Sequence, residues 1–316
     1  MVDFKDIEAA AKRLAPVTVE TPLLRSSALD EIAGGTVYIK PENLQVTGSF
    51  KFRGAYNMLS QLTADEAKHG VVAFSSGNHA QAVAASGTML GIDTTIVMPE
   101  DAPAIKIENT RRLGGKAVLY DRYSEDREAI AREIAAETGS VVVPAFDHER
   151  IIAGQGTVGL ELMRQCADFG VTPDQALVSC SGGGLISGTA LAVKTMSPET
   201  SVYPVEPEDF DDTARSLISG ERETNDSGAR SICDALQTER PGKLTFAINR
   251  KLLGAGLVVS DGEVKEAMRF AFRHLKLVVE PGGAVALAAL ISEVWLLLFA
   301  LLSLQFVGGL DALQVL

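Results

Sequence analysis

The sequence has few cysteines and no excess of positive charge. Three cysteines among 316 residues, Cys166, Cys180 and Cys233, are too few and too scattered for a disulfide framework or a thiolate zinc site. This usage predicts reduced, packed thiols in a cytoplasmic protein. The formal net charge of -12 repels phosphate backbones, so we expect no nucleic acid partner.

Long apolar runs are scarce as well. The amino-terminal stretch MVDFKDIEAAAKRL follows an amphipathic helix pattern and lacks the apolar core of a signal peptide. One dense run, VWLLLFALLSL from Val294, approaches membrane-spanning length only if it is extended back across Glu293, and no basic cluster follows it. We interpret it as a buried helix that leads into a buried strand, and we expect no membrane partner. A peripheral membrane role is the weaker alternative.

The sequence is rich in short β-branched runs that alternate with helical patterns. A helix is predicted over residues 124–137, with Ser124 as its N-cap. The runs that predict strands are residues 36–40, 71–75, 94–99, 116–120, 140–144, 176–180 and 201–206. This alternation predicts a two-lobed α/β fold, with parallel or mostly parallel twisted sheets flanked by helices.

Loops that follow the strands of parallel sheets commonly bind ligands, and one of them is rich in glycine. In SCSGGGLISG, residues 179–188, three consecutive glycines allow several backbone N–H groups to converge at a helix start. The loop lacks the lysine of nucleotide-binding loops and the spacing of the dinucleotide fingerprint, so a single phosphate fits better. A tight turn that needs glycine for packing is the structural alternative.

Two further segments complete the pattern. SSGNHAQA, residues 75–82, can present hydroxyls and helix-start N–H groups to a carboxylate, or it is an ordinary capped helix start. In SFKFRGA, residues 49–55, apolar surroundings would lower the pKa of Lys51 and free its amine as a nucleophile. The alternative is an exposed lysine that lies over two phenylalanines. A single phosphate, a reactive lysine and a carboxylate loop together indicate pyridoxal phosphate.

With SFKFRGA, SSGNHAQ and SGGGL in this order, the chain resembles the fold-type II pyridoxal-phosphate enzymes, which are tryptophan synthase β-like. Within them it is most similar to the serine/threonine dehydratase and serine racemase branch, which includes 3-hydroxyaspartate dehydratases, over residues 7–290. The resemblance implies that Lys51 attaches to the cofactor and moves the Cα proton, that Phe50 flanks the ring, and that Asn78 bonds its phenolic oxygen. The implied phosphate loop is Ser181, Gly182, Gly183, Gly184 and Leu185, where the family often has glycine in place of Ser181. The implied carboxylate site is Ser75, Ser76, Gly77 and His79.

The resemblance also implies a metal site in VEPEDFDD, residues 205–212, which would otherwise be a solvated acidic loop. Glu206, the backbone carbonyl of Phe210 and Asp212 would bind a divalent cation such as Mg²⁺, Ca²⁺ or Mn²⁺. The implied organisation is a homodimer. Each chain would have a large cofactor-binding domain, residues 1–69 and 145–316, and a small substrate-loop domain, residues 70–144.

The family pattern breaks after VEPGGAVALAAL, residues 279–290. Relatives continue to an SGGN loop whose serine pairs with the cofactor's pyridine nitrogen, and this chain has no such motif. Only VGGLD, residues 307–311, offers a glycine pair, and we assign it no role. A cofactor-binding protein inactivated by this altered tail is therefore one alternative reading.

The implied activity is removal of water from serine, threonine or 3-hydroxyaspartate, which yields a keto acid and ammonia. Lys51 and Ser76 would be the catalytic residues. Biosynthetic threonine dehydratases commonly have alanine where Ser76 stands, whereas serine racemases use the equivalent serine as a proton donor. Serine racemase is therefore the alternative activity. Relatives that replace a β-substituent, such as cysteine synthases, typically carry threonine at the position of His79.

Overall fold

The computed structural model describes residues 1–75, 77–292 and 313–315. Ser76, the whole apolar run from Val294, and residues 307–311 lie outside them. Backbone contacts divide the chain into two compact units. The first comprises Met1–Glu20 and Leu44–Thr157, and the second comprises Thr21–Asn43 and Val158–Leu316. The predicted small domain, residues 70–144, lies wholly within the first unit, and its role as a separate substrate domain stays a prediction.

Helices and strands alternate along most of the described chain. The strands are β1 (Leu24–Arg25), β2 (Thr36–Ile39), β3 (Val71–Phe74), β4 (Thr94–Pro99), β5 (Lys116–Tyr120), β6 (Val141–Val142), β7 (Gln175–Ser179), β8 (Ser201–Pro207), β9 (Leu257–Val259) and β10 (Leu313–Val315). The α-helices are α1 (Phe4–Leu14), α2 (Ser27–Ala33), α3 (Lys51–Leu59), α4 (Ala64–His69), α5 (Asn78–Leu90), α6 (Ala104–Arg112), α7 (Arg127–Thr138), α8 (Glu149–Asp168), α9 (Gly184–Met196), α10 (Asp212–Ser219), α11 (Lys243–Leu252), α12 (Asp261–Phe270) and α13 (Pro281–Ile291).

The first unit is built on a four-stranded parallel sheet in the order β5-β4-β3-β6. Its strands are rich in valine and isoleucine, which suit a sheet buried on both faces. Phe52 of α3, Val83 of α5 and Ile96 of β4 are fully buried in one apolar cluster. Helices α3 and α5 are thereby fixed against the sheet, and β3 directs the chain into the loop that opens α5.

The second unit contains a six-stranded sheet in the order β1-β2-β10-β7-β8-β9. All neighbours in it are parallel except β1 and β2. β7 and β8 pair in register from Gln175 with Ser201 to Ser179 with Val205. Parallel neighbours end at the same edge of a sheet, so the glycine-rich loop after β7 and the acidic stretch after β8 emerge side by side.

The predicted α/β class with parallel sheets is confirmed, and β4 and β5 have the predicted bounds. Ser124 as a helix N-cap is wrong. The helix begins at Arg127, because the side chain of Asp126 accepts hydrogen bonds from the N–H groups of Glu128 and Ala129. Ser124 instead donates to Asp121 in the preceding turn. Among the described residues, no helix is both long and apolar enough to cross a bilayer.

Candidate active site

Lys51 opens α3 and is held by one aromatic ring and one carbonyl. Its Nζ atom lies 5.2 Å from the centroid of the Phe50 ring and donates a hydrogen bond of 2.9 Å to the carbonyl oxygen of Ala145. Phe52 faces the other way, is fully buried and packs against Tyr56. The two phenylalanines of SFKFRGA therefore have different roles: Phe50 flanks the amine, and Phe52 anchors the helix in the core.

Burial sets the charge of Lys51 and of its neighbour His79. Burial lowers the pKa of Lys51 to about 8. Burial, and then the charge of Lys51, lower the pKa of His79 to about 4, so its imidazole is neutral at pH 7. The Nε2 atom of His79 lies 3.0 Å from the carbonyl oxygen of Val143. Because a carbonyl only accepts, Nε2 carries the proton and Nδ1 is the acceptor nitrogen.

The loop between β3 and α5 presents backbone donors at a helix start. Gly77 occupies the N-cap position, makes no side-chain cap, and donates its N–H to Ser75 Oγ at 3.2 Å. A Cβ atom on Gly77 would meet nothing within 4 Å, so the loop faces open space. Asn78 and His79 begin the helix. Helix-start N–H groups beside open space suit a carboxylate. The predicted role of Ser76 is not tested, because this residue lies outside the described ones.

The glycine-rich loop joins β7 to α9 and is anchored by α11. Gly183 has φ of 94°, and a Cβ atom there would lie 2.8 Å from Asn249 Nδ2 and 3.0 Å from Thr245 Cβ. Thr245 Oγ1 donates to the carbonyl of Gly182 at 2.7 Å, so this peptide has a fixed orientation. Glycine is thus required both by conformation and by space. The loop leads into the positive end of a 13-residue helix, an arrangement that fits a phosphate.

Ser181 gives this loop a side-chain contact that a glycine would lack. Its Oγ atom donates a hydrogen bond of 2.6 Å to Oγ1 of Thr238. Sequence reasoning missed Thr238, because it lies in the segment between α10 and α11, where no periodic pattern points to it. Only its hydroxyl marks it as a partner for a polar loop.

Glu206 and Asp212 are both buried at the carboxyl end of β8. The carboxylate of Glu206 accepts hydrogen bonds from the N–H groups of Thr213 at 3.1 Å and Ala214 at 2.8 Å, in the first turn of α10. Asp212 Oδ1 accepts from Asn225 at 2.6 Å, whereas its buried Oδ2 has no hydrogen-bond partner in the described part of the chain. Burial raises the pKa of Asp212 to about 7, and burial together with the charge of Asp212 raises that of Glu206 well above its usual range.

The carboxylate oxygens of Glu206 and Asp212 fit a hard cation, because a buried carboxylate oxygen without a hydrogen-bond partner is stabilised by a nearby positive charge. Phe210, whose carbonyl is the third predicted ligand, lies in the turn between the two acids and donates its N–H to Pro207 at 3.0 Å. Within residues 1–75 and 77–292, no cluster of three or more His, Cys, Asp or Glu side chains is arranged to hold a metal. The predicted set has two such side chains and one carbonyl.

Arg127 is a cation beside the end of β3 that sequence reasoning did not select. Its guanidinium carbon lies 5.7 Å from the centroid of the Phe74 ring, and Phe74 directly precedes Ser75. Arg53, by contrast, is fully buried and donates to Thr157 at 3.2 Å. The helical pattern of α7 showed that Arg127 lies near a helix start. The sequence pattern of α7 gave no indication that the first turn of this helix lies against the end of β3.

A buried lysine beside an aromatic ring and a glycine cradle at a helix start, both on parallel α/β sheets, define a fold-type II pyridoxal-phosphate enzyme. Residues 14–295 match the family model of the pyridoxal-phosphate dependent enzymes, and the chain belongs to this family.

The relatives include enzymes of both predicted activities. The L-threo-3-hydroxyaspartate ammonia-lyase of Pseudomonas sp is 46% identical, over 91% of this chain and 88% of the relative. The serine racemase of Schizosaccharomyces pombe is 42% identical, over 90% of this chain and 87% of the relative. The solved structure of maize serine racemase is similar with a TM-score of 0.90 at 35% identity, and the match covers 99% of this chain and 91% of that chain. The predicted family and fold type are confirmed.

Proposed function

We propose that this protein is a pyridoxal-phosphate-dependent ammonia-lyase that removes water from a β-hydroxy amino acid, with 3-hydroxyaspartate as the preferred substrate. The observation that carries the proposal is the buried amine of Lys51, whose pKa is about 8. An amine of this kind is neutral often enough near pH 7 to act as a nucleophile and as a base. The 46% identity to a 3-hydroxyaspartate ammonia-lyase supports the choice of reaction.

The aldehyde, the ring, the phenolic oxygen and the phosphate of the cofactor each have a group in this chain to hold them, and no residue is assigned to its pyridine nitrogen. Lys51 would bind its aldehyde carbon, Phe50 would flank the ring, and Asn78 would bond its phenolic oxygen. The loop of Ser181, Gly182, Gly183, Gly184 and Leu185 would hold its phosphate. When bound, pyridoxal phosphate draws electrons from the substrate Cα and so makes its proton acidic.

The residues of the first unit then bind the substrate and move its proton. The neutral amine of Lys51 Nζ takes the Cα proton, and the resulting ammonium is held by the carbonyl oxygen of Ala145. The backbone N–H groups at the start of α5, that of His79 included, would bind the substrate carboxylate together with Ser75, because the neutral imidazole of His79 already donates its one N–H to Val143. The β-hydroxyl must leave as water, and the proton that it needs would come from the cofactor phosphate held by the glycine-rich loop. Ser76 would be the second catalytic residue, as the resemblance implies: in the racemase alternative it would return a proton to the opposite face of the substrate Cα.

Arg127 favours a substrate with a second carboxylate. Its exposed guanidinium lies over Phe74, next to the loop proposed to bind the first carboxylate. A guanidinium binds a carboxylate through two parallel hydrogen bonds, whereas serine and threonine offer it no second charge. We therefore place 3-hydroxyaspartate ahead of serine and threonine.

A keto-acid assay over the stereoisomers of serine, threonine and 3-hydroxyaspartate tests the proposal. We expect one isomer of 3-hydroxyaspartate to yield oxaloacetate and ammonia. Its kcat/KM should exceed the kcat/KM for serine and for threonine. A protein that takes up the cofactor and releases no ammonia from any of the three would overturn it. That result would favour the inactive cofactor-binding alternative.

Serine racemase remains the second candidate, supported by Ser76 and by the 42% identical relative from Schizosaccharomyces pombe. Chiral analysis after incubation with L-serine would detect D-serine. If pyruvate is the sole product, the chain is no racemase.

We further propose a divalent cation, Mg²⁺, Ca²⁺ or Mn²⁺, on Glu206, the carbonyl of Phe210 and Asp212. The unpaired Oδ2 atom of Asp212 supports it. Elemental analysis of the purified protein and of Asp212→Asn tests it, and a metal content equal in the two proteins would contradict it. The proposed homodimer rests on the family resemblance alone, and the proposed cytoplasmic location rests on the cysteine usage. Light scattering would test the dimer, and fluorescent tagging in cells would test the location.

A further inference from the structure

A series of hydrogen bonds joins the carboxylate of Asp212, which follows β8, to the glycine-rich loop after β7. Asn225 Nδ2 donates to Asp212 Oδ1 at 2.6 Å and to the backbone carbonyl of Thr238 at 2.9 Å. Oγ1 of Thr238 in turn accepts the hydrogen bond of 2.6 Å from Ser181 Oγ. We call Asp212, Asn225, Thr238 and Ser181 the relay. All four residues belong to the second unit.

The orientation of Asn225 in the relay is fixed. Asn225 is buried, and its Oδ1 atom accepts a hydrogen bond from Arg215 Nη2 at 2.5 Å. Arg215 is itself paired with Asp211 at 2.9 Å. If the amide were turned over, its oxygen would face the carboxylate of Asp212 and its NH₂ group would face a guanidinium. Both contacts would be repulsive, so the amide has one favourable orientation.

The position of Thr238 depends on these bonds, because little regular structure surrounds it. Between α10 and α11 the described chain contains one short 3₁₀ turn, Asp234–Leu236. The backbone of Asn225 adds one bond here, from its N–H to the carbonyl of Glu239 at 2.8 Å. Asn225 therefore ties the Thr238 segment to Asp212 through its side chain and through its backbone.

We propose that the relay couples cation binding at Glu206 and Asp212 to binding of the cofactor phosphate, so that each ligand raises the affinity for the other. The inference rests on the proposed cation and cofactor. A cation fixes the carboxylate of Asp212, and through Asn225 and Thr238 it orders the Ser181 end of the phosphate loop. The cofactor phosphate then binds a loop that is already ordered, so it loses less conformational entropy on binding. By thermodynamic linkage, the phosphate raises the affinity for the cation by the same factor. A glycine in place of Ser181 would interrupt the relay.

A second route between the two sites provides a matched control. Thr213 donates its N–H to Glu206, and its Oγ1 atom lies 3.4 Å from the carbonyl oxygen of Ser181 and 3.5 Å from Cys180 Sγ. The 3.4 Å contact to Ser181 is at the limit of hydrogen bonding, whereas the relay bonds are short. Thr213→Val should therefore change the coupling far less than Thr238→Val, although each substitution exchanges one hydroxyl for a methyl group.

Equilibrium dialysis of the holoenzyme against graded concentrations of pyridoxal phosphate gives the dissociation constant of the cofactor, with excess Mg²⁺ or with chelator. The ratio of the constant in chelator to the constant in Mg²⁺ measures the coupling. For the wild type we expect a ratio of about ten, within the usual range of coupling between sites. Thr238→Val and Ser181→Gly should bring this ratio close to one, and Thr213→Val should keep most of it. Titration calorimetry with Mg²⁺ shows whether Thr238→Val still binds the cation, and circular dichroism shows whether it is folded.

Equal dissociation constants of the wild type in Mg²⁺ and in chelator would overturn the inference. An unchanged ratio in both Thr238→Val and Ser181→Gly would do so as well. The measurement involves no substrate, so its result is separate from that of the keto-acid assay. A protein that converts 3-hydroxyaspartate and binds its cofactor equally well with and without Mg²⁺ rejects the relay alone.

Discussion

The two units each bury a pair of ionisable groups, and burial moves the pKa values of the two pairs in opposite directions. Lys51 and His79, the basic pair, have pKa values lowered to about 8 and about 4. Glu206 and Asp212, the acidic pair, have pKa values above their usual ranges. In both cases burial penalises the charged form. The same physical cause therefore favours loss of a proton by the basic groups of one unit and retention of a proton by the acidic groups of the other.

The partners of the two pairs differ, and this difference separates their proposed roles. The basic pair lies against the carbonyl oxygens of Ala145 and Val143, which accept hydrogen bonds from neutral or charged groups alike. The acidic pair leaves Asp212 Oδ2 without a partner among the described residues. The basic pair can therefore gain and lose a proton in place, as proton transfer requires. The acidic pair is best satisfied by a cation.

The largest expected effect comes from removing the amine of the basic pair. Lys51→Ala should abolish covalent attachment of the cofactor and lower kcat at least about 10³-fold, since both a nucleophile and a base are lost. Absorbance near the visible edge reports attachment, and ammonia release reports turnover. Lys116→Ala, which changes an exposed lysine on β5, is the control and should match the wild type. A coloured, active Lys51→Ala protein would contradict the proposed role.

The next largest effect concerns Arg127, which lies outside both pairs and is proposed to bind the second carboxylate of the substrate. Arg127→Gln should lower kcat/KM for 3-hydroxyaspartate about 10- to 100-fold, which corresponds to the loss of a hydrogen bond to a charged group. The kcat/KM for serine should change little, because serine has no second carboxylate. Arg132→Gln, an exposed position on the same helix, is the control. Equal losses for the two substrates would assign Arg127 a structural role instead.

A third prediction concerns the pH dependence of the basic pair. The neutral amine of Lys51 captures the cofactor, and with a pKa of about 8 roughly one amine in ten is neutral at pH 7. In cofactor-free protein the capture rate should rise about tenfold per pH unit below pH 8 and become constant above it. Stopped-flow absorbance measures this rate, and a rise that continues to pH 10 would show an ordinary, exposed lysine.

The sign of the effect on stability follows from the same shift. The pKa of Lys51 is lowered from 10.5 in the folded protein, so the unfolded chain binds this proton more tightly between pH 8 and 10.5. The contribution of Lys51 to the free energy of unfolding therefore rises with pH across that window. Denaturant unfolding of cofactor-free wild type and of Lys51→Met at pH 8 and 10 would show the difference.

The sequence predicted the class of the fold and singled out Lys51, because these depend on local patterns, whereas His79 was named only through the family resemblance. Alternating β-branched runs fix the strands, and a lysine between two phenylalanines stands out within seven residues. Thr238 and Arg127 could not be predicted, since their proximity to Ser181 and Phe74 is created by tertiary packing. The prediction of the N-cap of α7 was wrong for a related reason. Ser124 and Asp126 both suit an N-cap position, and the packing of α7 selects Asp126.

The smallest expected effect distinguishes a cation from a proton as the partner of the acidic pair. If a cation compensates the two carboxylates, chelation should lower the Tm of the wild type by a few degrees, which corresponds to about 1–2 kcal/mol for a protein of this size. Asp212→Asn keeps an oxygen for Asn225 but removes one negative charge, so its Tm should not respond to chelator. Glu208→Gln, at an exposed position between β8 and α10, should respond as the wild type does. If the wild type were also insensitive to chelator between pH 6 and 8, a shared proton would be sufficient to stabilise the buried pair. The two pairs would then differ only in the direction of their pKa shifts, because loss of a proton by the basic pair and gain of a proton by the acidic pair would both reduce the buried charge.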